Sequence, residues 1–296
     1  PIVLPVDKKF GINKNYNLIN SKKKILCSIK VDSFFKIDNE ELMKEWFSTN
    51  DLNHPGIKSL IKRGKYFISG KISRPQYKNF TFQKFEVTPK KSKELIYIKG
   101  WNTVVGFHTR NIPHQGHIFI QKKSIKYANA DGLMLSPAVG VKKKGDFKNE
   151  MLIESYSEVL RSKTHYNKAI LCCLDIYSRY AGAREAVFTA ICRKNLGCSH
   201  FIVGRDHTGF NNNSTDKDLR RFFSEIGDFG IKIIFFDKLG FNSRTKRYTF
   251  TQNTKNIISG STVRSLIKQK KKIPNYLLDK YQQQIIKKWK KKFFYD

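Results

Sequence analysis

Two short runs of the 296-residue chain collect histidine, arginine and asparagine at spacings that could handle an anion: HTRNIPHQGH at 108–117 and GRDHTG at 204–209. His114 and His117 stand three apart with Gly116 between them, where the text reads as the start of a helix, so both rings fall on one face of its first turn. Unpaired backbone N–H groups and the helix dipole favour an anion there. Three readings of the pair stay open: phosphate binding, half of a zinc site with no identifiable third ligand, and capping histidines without chemistry. Arg110 and Asn111 just upstream favour the first, because a guanidinium offers an oxyanion a planar fork that lysine lacks. That choice of cation stands out in a chain of 44 Lys and 13 Arg, where Arg110, Arg179, Arg184, Arg205 and Arg264 sit in turn-rich text outside the lysine runs.

Each run follows an apolar segment that reads as a strand. Between about 94 and 246, strand-like runs (103–107, 132–135, 169–174, 201–203, 231–236) alternate with helical ones (116–128, 150–162, 183–195, 216–226). Strands alternating with helices of this length imply βαβ units and a parallel sheet. In such a sheet the ligand crevice lies outside the carboxyl ends of the strands, so the two runs point to one shared site. Ahead of it, residues 1–91 read as mostly β with one helix near 40–48 and breaks at Pro55, Gly56, Gly64 and Gly70. Behind it, residues 256–296 read as a small, Lys-rich helical region broken at Pro274. The expected fold is therefore α/β, with domains at 1–91, 92–255 and 256–296.

The formal charge of +33 invites a nucleic-acid partner, but Lys, Asn, Ile, Phe and Tyr are all abundant and all encoded by A+T-rich codons. Codon bias is the preferred reading and nucleic-acid binding the lesser one. With 40% apolar residues the chain can build a core, and no apolar run approaches the ~18 residues of a membrane span. The chain opens on PIVLPV rather than on a charged segment and an apolar run, so no signal peptide is expected and the sequence reads as starting inside a longer product. Five scattered cysteines without a C-x-x-C pair fit a cytoplasmic protein.

HTRNIPHQGH resembles the Q-T-R-N-P-x-H-R-G-H segment of ATP sulfurylases, and GRDHTG their G-R-D-H-A-G. In the same order along the chain, DLNHPG (51–56), KKGD (143–146), SRYAGAREA (178–186), GCSHFIVGRDH (197–207) and ISGSTVR (258–264) resemble further motifs of that family. The resemblance implies a Rossmann-like H-x-G-H nucleotidylyltransferase domain behind a partial PUA-like β domain. The implied reaction joins ATP and sulfate into adenylyl sulfate and pyrophosphate, with Mg²⁺ carried by the ATP phosphates. It also implies a homo-oligomer. Carried over by the motifs, Thr109, Arg110 and Asn111 would be the catalytic group, and His108, Arg110 and Thr208 would face sulfate. His108, Thr109, Arg110, Asn111, His114, His117, Gly204, Arg205, Asp206, His207 and Leu239 would hold ATP. No metal-ligating protein residue is implied.

The chain departs from the family pattern in five places. His108 stands for Gln, Ile112-Pro113 for Pro-x, Gln115 for Arg, Thr208 for Ala, and Ala183 for Pro. A titratable ring at 108 would make sulfate binding weaken as pH rises through about 6.5. GVKKKGD at 140–146 has Asp146 where a P-loop needs Lys, so no appended kinase site is read there. The rival readings are an adenylyltransferase acting on another oxyanion and a non-catalytic RNA-binding relative using the Lys-rich tail.

Overall fold

The computed structural model describes the chain except residues 1–3, 21, 37–38, 65, 76–84, 86, 163, 166, 205–215, 252–256, 290–292 and 296. Its contacts divide it into two units: residues 1–81 with 179–184, and the bulk of 82–296.

In the first unit β1 (Leu4–Val6), β2 (Asn15–Ile19), β3 (Ile25–Lys36) and β4 (Tyr66–Ser73) form an antiparallel sheet in the order β1-β4-β3-β2. Ile29, Val31 and Ile68 bury one patch of it, and a register shift between Val31 and Ser33 marks an irregularity in the long β3. Two helices, α1 (Asn39–Phe47) and α2 (Pro55–Lys62), close a second patch around Leu42, Leu60 and Phe67. The sequence leads one to expect only the first of these helices, with Pro55-Gly56 as a break. Proline suits a helix start, since its fixed φ fits the first turn and its missing N–H would have no partner there. Asp51 prepares that start by accepting from the Asn53 N–H through its carboxylate (2.8 Å) and from the His54 N–H through its carbonyl (2.9 Å). A Cβ on Gly56 would fall 2.4 Å from the Phe47 ring and 2.6 Å from the Arg179 carbonyl oxygen, which is why the start of α2 carries glycine.

The second unit holds α3 (Pro89–Ile98), β5 (Val104–Thr109), α4 (Gln115–Tyr127), β6 (Gly132–Pro137), α5 (Asn149–Arg161), β7 (Ala169–Leu171), α6 (Gly182–Asn195, whose first turn belongs to the other unit), β8 (His200–Val203), α7 (Asp216–Ile226) and β9 (Lys232–Phe235). The five strands pair in parallel in the order β7-β6-β5-β8-β9. The alternation expected from sequence is realised, with no end shifted by more than three residues. β5 and β6 are almost entirely buried, as parallel strands covered by helices must be. Val105, Phe107, Leu133, Leu135, Leu171, Ile202 and Ile234 from the sheet pack with Ile118, Ile153, Tyr156 and Val159 from α4 and α5. Full burial of each such side chain stabilises by roughly 1.5–3 kcal/mol.

Beyond the sheet come a hairpin absent from the sequence reading, β10 (Leu239–Asn242) with β11 (Arg247–Phe250), then α8 (Gly260–Lys268) and α9 (Lys280–Lys288). Val263, Ile267, Ile273, Leu277, Leu278 and Ile285 of this last stretch share one apolar cluster with Ile112, Phe147, Met151 and Leu152. The departure at Ile112 thereby finds its reason: the side chain, 1% exposed, pins the 108–117 turn to the C-terminal helices. Among the described residues no helix is long and apolar enough to cross a membrane.

Candidate active site

The chain runs from β5 to β6 to β7 on one side of the sheet and resumes with β8 and β9 on the other. The order reverses between β5 and β8, where the crevice of an open parallel sheet lies. The 108–117 run leaves the carboxyl end of β5, and Gly204 follows directly on β8. Arg205, Asp206, His207 and Thr208 lie outside the described residues.

A lattice of neutral and charged donors fixes the turn after β5. The buried Thr109 hydroxyl accepts from the Asn111 N–H (3.0 Å), and the Tyr156 hydroxyl donates to the Asn111 carbonyl (3.3 Å). Burial pushes the Tyr156 phenol far up, so it remains a donor. Arg264 of α8 donates to Asn111 Oδ1. A Cβ on Gly260, the first residue of α8, would lie 2.5 Å from the Asn111 carboxamide, so glycine there lets the helix end approach. Ser259 caps α8 by accepting from the Thr262 N–H (3.1 Å).

His114 is the N-cap of α4, and its Nδ1 accepts from the His117 N–H (3.2 Å). Accepting there places the neutral ring's proton on Nε2, so the capping and phosphate-binding readings are compatible. The two rings stack with centroids 3.5 Å apart. Burial, and then the neighbouring His114, hold the His117 imidazole well below its usual range, against a backbone hydrogen bond with Ile112. Its Nδ1 is buried without a hydrogen-bond partner among the described residues. Gly116 is crowded by Ile258, whose Cγ2 would stand 2.8 Å from an added Cβ, and the Ile258 N–H donates to the Leu239 carbonyl (2.9 Å). Leu239 thus joins the α4 start through one intervening residue, its side chain buried.

Two cations missed by the sequence reading complete the surroundings. Lys142, partly buried after β6, donates to the Ala138 carbonyl. Burial pushes its ammonium down to about 8, with Asp146 opposing the shift and Arg110 adding to it. Arg193 of α6 is 0% exposed and reaches His108, its Nη2 2.5 Å from the imidazole Nδ1. A guanidinium has only donors, so the His108 Nδ1 that meets it serves as the acceptor. Neither cation announces itself in the text: Lys142 stands in a lysine run and Arg193 reads as a polar helix residue. Arg264 was visible in ISGSTVR, although its partner Asn111 lies 153 positions away.

Among the described residues no three His, Cys, Asp or Glu side chains are grouped to hold a metal ion, so the His114–His117 pair has no completing zinc ligand there. The donors at the end of β5 are imidazole, guanidinium and carboxamide, which suit anionic oxygens rather than a hard cation.

A parallel sheet whose order reverses between β5 and β8, with arginine, asparagine and a histidine-capped helix start at that point, defines a Rossmann-like α/β domain. A family model described as ATP-sulfurylase matches residues 83–289, and one described as a PUA-like domain matches residues 1–76. The chain is 34% identical over 284 residues to a protein named sulfate adenylyltransferase from Pyrococcus abyssi, covering 94% of this chain and 74% of that one. A protein of the same name from Thermococcus onnurineus is 32% identical over 299 residues, covering 99% and 78%. The chain belongs to the ATP-sulfurylase family and carries a PUA-like N-terminal domain. Its fold also matches the solved structure of a hexameric APS kinase from Thiobacillus denitrificans, with a TM-score of 0.71 at 15% identity over 98% of this chain and 53% of that chain.

Proposed function

We propose that the protein is a sulfate adenylyltransferase, converting ATP and sulfate to adenylyl sulfate and pyrophosphate. A sulfate oxygen forms a bond to the α-phosphorus as the bond from that phosphorus to the bridging oxygen breaks, and pyrophosphate leaves with the electron pair. Sulfate is a dianion at neutral pH and needs no general base, so the protein's work is to hold two anions in line and to stabilise charge on the leaving group. The observation that carries this reading is the fixed Thr109-Arg110-Asn111 turn at the switch point, with Asn111 held by Arg264 and Tyr156.

In this reading Thr109, Arg110 and Asn111 form the catalytic group, with the Arg110 fork and His108 on sulfate together with Thr208. His114 and His117 take the leaving phosphates at the start of α4. The orphaned Nδ1 of His117 supports that role, since a phosphate oxygen could satisfy it once the ring takes up a proton. Gly204, Arg205, Asp206, His207 and Leu239 contact ATP. Mg²⁺ would arrive on the phosphates and neutralise part of their charge. Five free cysteines support a cytoplasmic location.

Purified protein given ATP, Mg²⁺ and molybdate should release AMP and pyrophosphate only when molybdate is present. A protein that releases nothing and instead retains RNA at moderate salt would replace this reading with the RNA-binding one. Turnover on another oxyanion but not on sulfate would move it to a different adenylyl acceptor.

A further inference from the structure

Arg193 is fully buried, and none of the groups set against it is a carboxylate among the described residues. Its Nη2 lies 3.1 Å from the Ser136 carbonyl, 3.2 Å from the Ser136 hydroxyl and 2.5 Å from His108 Nδ1, while Nη1 lies 3.4 Å from the Thr189 carbonyl. The thiols of Cys192 and Cys198 also face it, and burial holds the Cys198 thiol neutral at neutral pH by pushing it up to about 12. A buried guanidinium among neutral acceptors is costly to retain, so its position calls for a reason. Room is made for it by Gly106 of β5, where a Cβ would fall 2.9 Å from Arg193 Cγ.

A guanidinium has only donors, so the His108 Nδ1 that meets it must offer a lone pair. The ring is then neutral and carries its proton on Nε2. Protonating Nδ1 would remove the acceptor and set two cations 2.5 Å apart in a partly buried place. We propose that Arg193 is a positioning residue that locks His108 as the neutral Nε2–H tautomer, so that His108 meets the oxyanion substrate as a fixed hydrogen-bond donor and not as a titrating cation. The part concerning the substrate rests on the sulfate adenylyltransferase reading; the lock itself does not. Hydrogen-bond logic then makes His108 equivalent to glutamine, whose Oε1 would accept from Arg193 while its N–H₂ donates.

Nitrogen-15 histidine NMR on the full chain, with His108 assigned by its loss in His108→Gln, tests the lock without any turnover. The expected spectrum shows an Nε2–H ring with no titration between about pH 5.5 and 7.5, where an ordinary imidazole changes charge. A ring that titrates near its usual value overturns the proposal whatever the activity. In Arg193→Met the same ring should begin to titrate. Steady-state kinetics tests the second half. His108→Gln should change sulfate KM by the same factor at every pH, because neither side chain titrates in that place. In Arg193→Met, sulfate KM should rise up to about tenfold per pH unit above the released imidazole's pKa, and Arg193→Lys should restore part of the flat profile. If Arg193→Met does not fold, the parent spectrum and His108→Gln still decide. An untitrating ring together with a sulfate KM unmoved by pH in Arg193→Met would leave the lock standing and overturn the placing of His108 on sulfate.

Discussion

Two histidines of this chain stand at helix N-caps with extended backbone: His54 before α2 (φ −61°, ψ 126°) and His114 before α4 (φ −123°, ψ 166°). Both are buried, yet they are used differently. His54 makes no side-chain cap bond; Pro55 removes one of the amides that would need a cap, and the imidazole packs against Phe47 (5.1 Å) and Tyr180 (6.4 Å). His114 spends Nδ1 on the His117 amide and stacks on the His117 ring, four residues after Arg110. The same residue at the same position is a packing unit in the first case, and in the second a group of fixed tautomer at the end of a parallel strand. What separates them is that His114 spends a ring nitrogen on a helix amide just beyond the carboxyl end of β5, whereas His54 makes no cap bond.

The sharpest way to break the comparison is on the chemical side. Arg110→Ala should lower molybdate-dependent turnover by about 10²–10³, the usual cost of removing one preorganised charge-stabilising donor, with the melting temperature nearly unchanged. Arg110→Lys should recover little, because an ammonium lacks the fork. Turnover within threefold of the parent in Arg110→Ala would remove the 108–117 turn from the site.

Acid should report on the buried imidazoles of the second unit. His165, paired through Nε2 with Gln121 (2.9 Å), is pushed down to about 4 by burial, and His117 is held well below its usual range. Both stay neutral when folded and charge when unfolded below about pH 6.5. Stability is therefore complete above that pH and falls as pH drops from about 6.5 towards 4, by on the order of 3 kcal/mol for His165 alone. Urea unfolding across this window should show the loss, and His165→Gln should flatten it. A parent curve already flat from pH 7 to 4.5 would mean that these rings find protons or partners in the folded state.

Alanine at the two caps is the direct test. His54→Ala should cost about 1–3 kcal/mol through lost packing and leave kcat close to the parent's. His114→Ala should cost about 1 kcal/mol, the usual worth of a cap, while turnover falls by more than tenfold. His114→Asn, which can cap, should restore stability without restoring turnover. Equal losses of activity at positions 54 and 114 would erase the distinction.

What could be read from the sequence divides along a related line. The sheet was legible because buried parallel strands are short apolar runs separated by polar turns and helix-length stretches, so β5, α4, β6 and α5 stand in the text almost where they stand in the fold. The H-x-G-H turn was legible because its residues are local. Arg193 beneath His108, 85 positions away, and Arg264 on Asn111 were not, since no local pattern says which distant side chain will fill the space that Gly106 and Gly260 leave. α2 escaped for a different reason: Pro-Gly was read as a break, although proline at the first position starts helices as readily as it ends them.

The smallest expected effect concerns Lys142, where burial and a bound anion act on the ammonium in opposite directions. Its ammonium is pushed down to about 8 by burial, with Arg110 contributing. In the anion-free protein the charged form is disfavoured relative to the unfolded chain, so deprotonation stabilises the fold. The stability difference between parent and Lys142→Met should therefore narrow as pH rises above about 8 if methionine is the more stable. Anion binding has the opposite sign: a phosphate or sulfate beside Arg110 and Lys142 favours the ammonium, takes up a proton near pH 8, and weakens as pH rises through that value. The expected result is a substrate KM level up to about pH 8 and rising by at most about tenfold per unit beyond it, an alkaline limb that Lys142→Met removes. Should the limb survive in Lys142→Met, some other group titrates there, and Lys142 belongs with the packing residues, as His54 does.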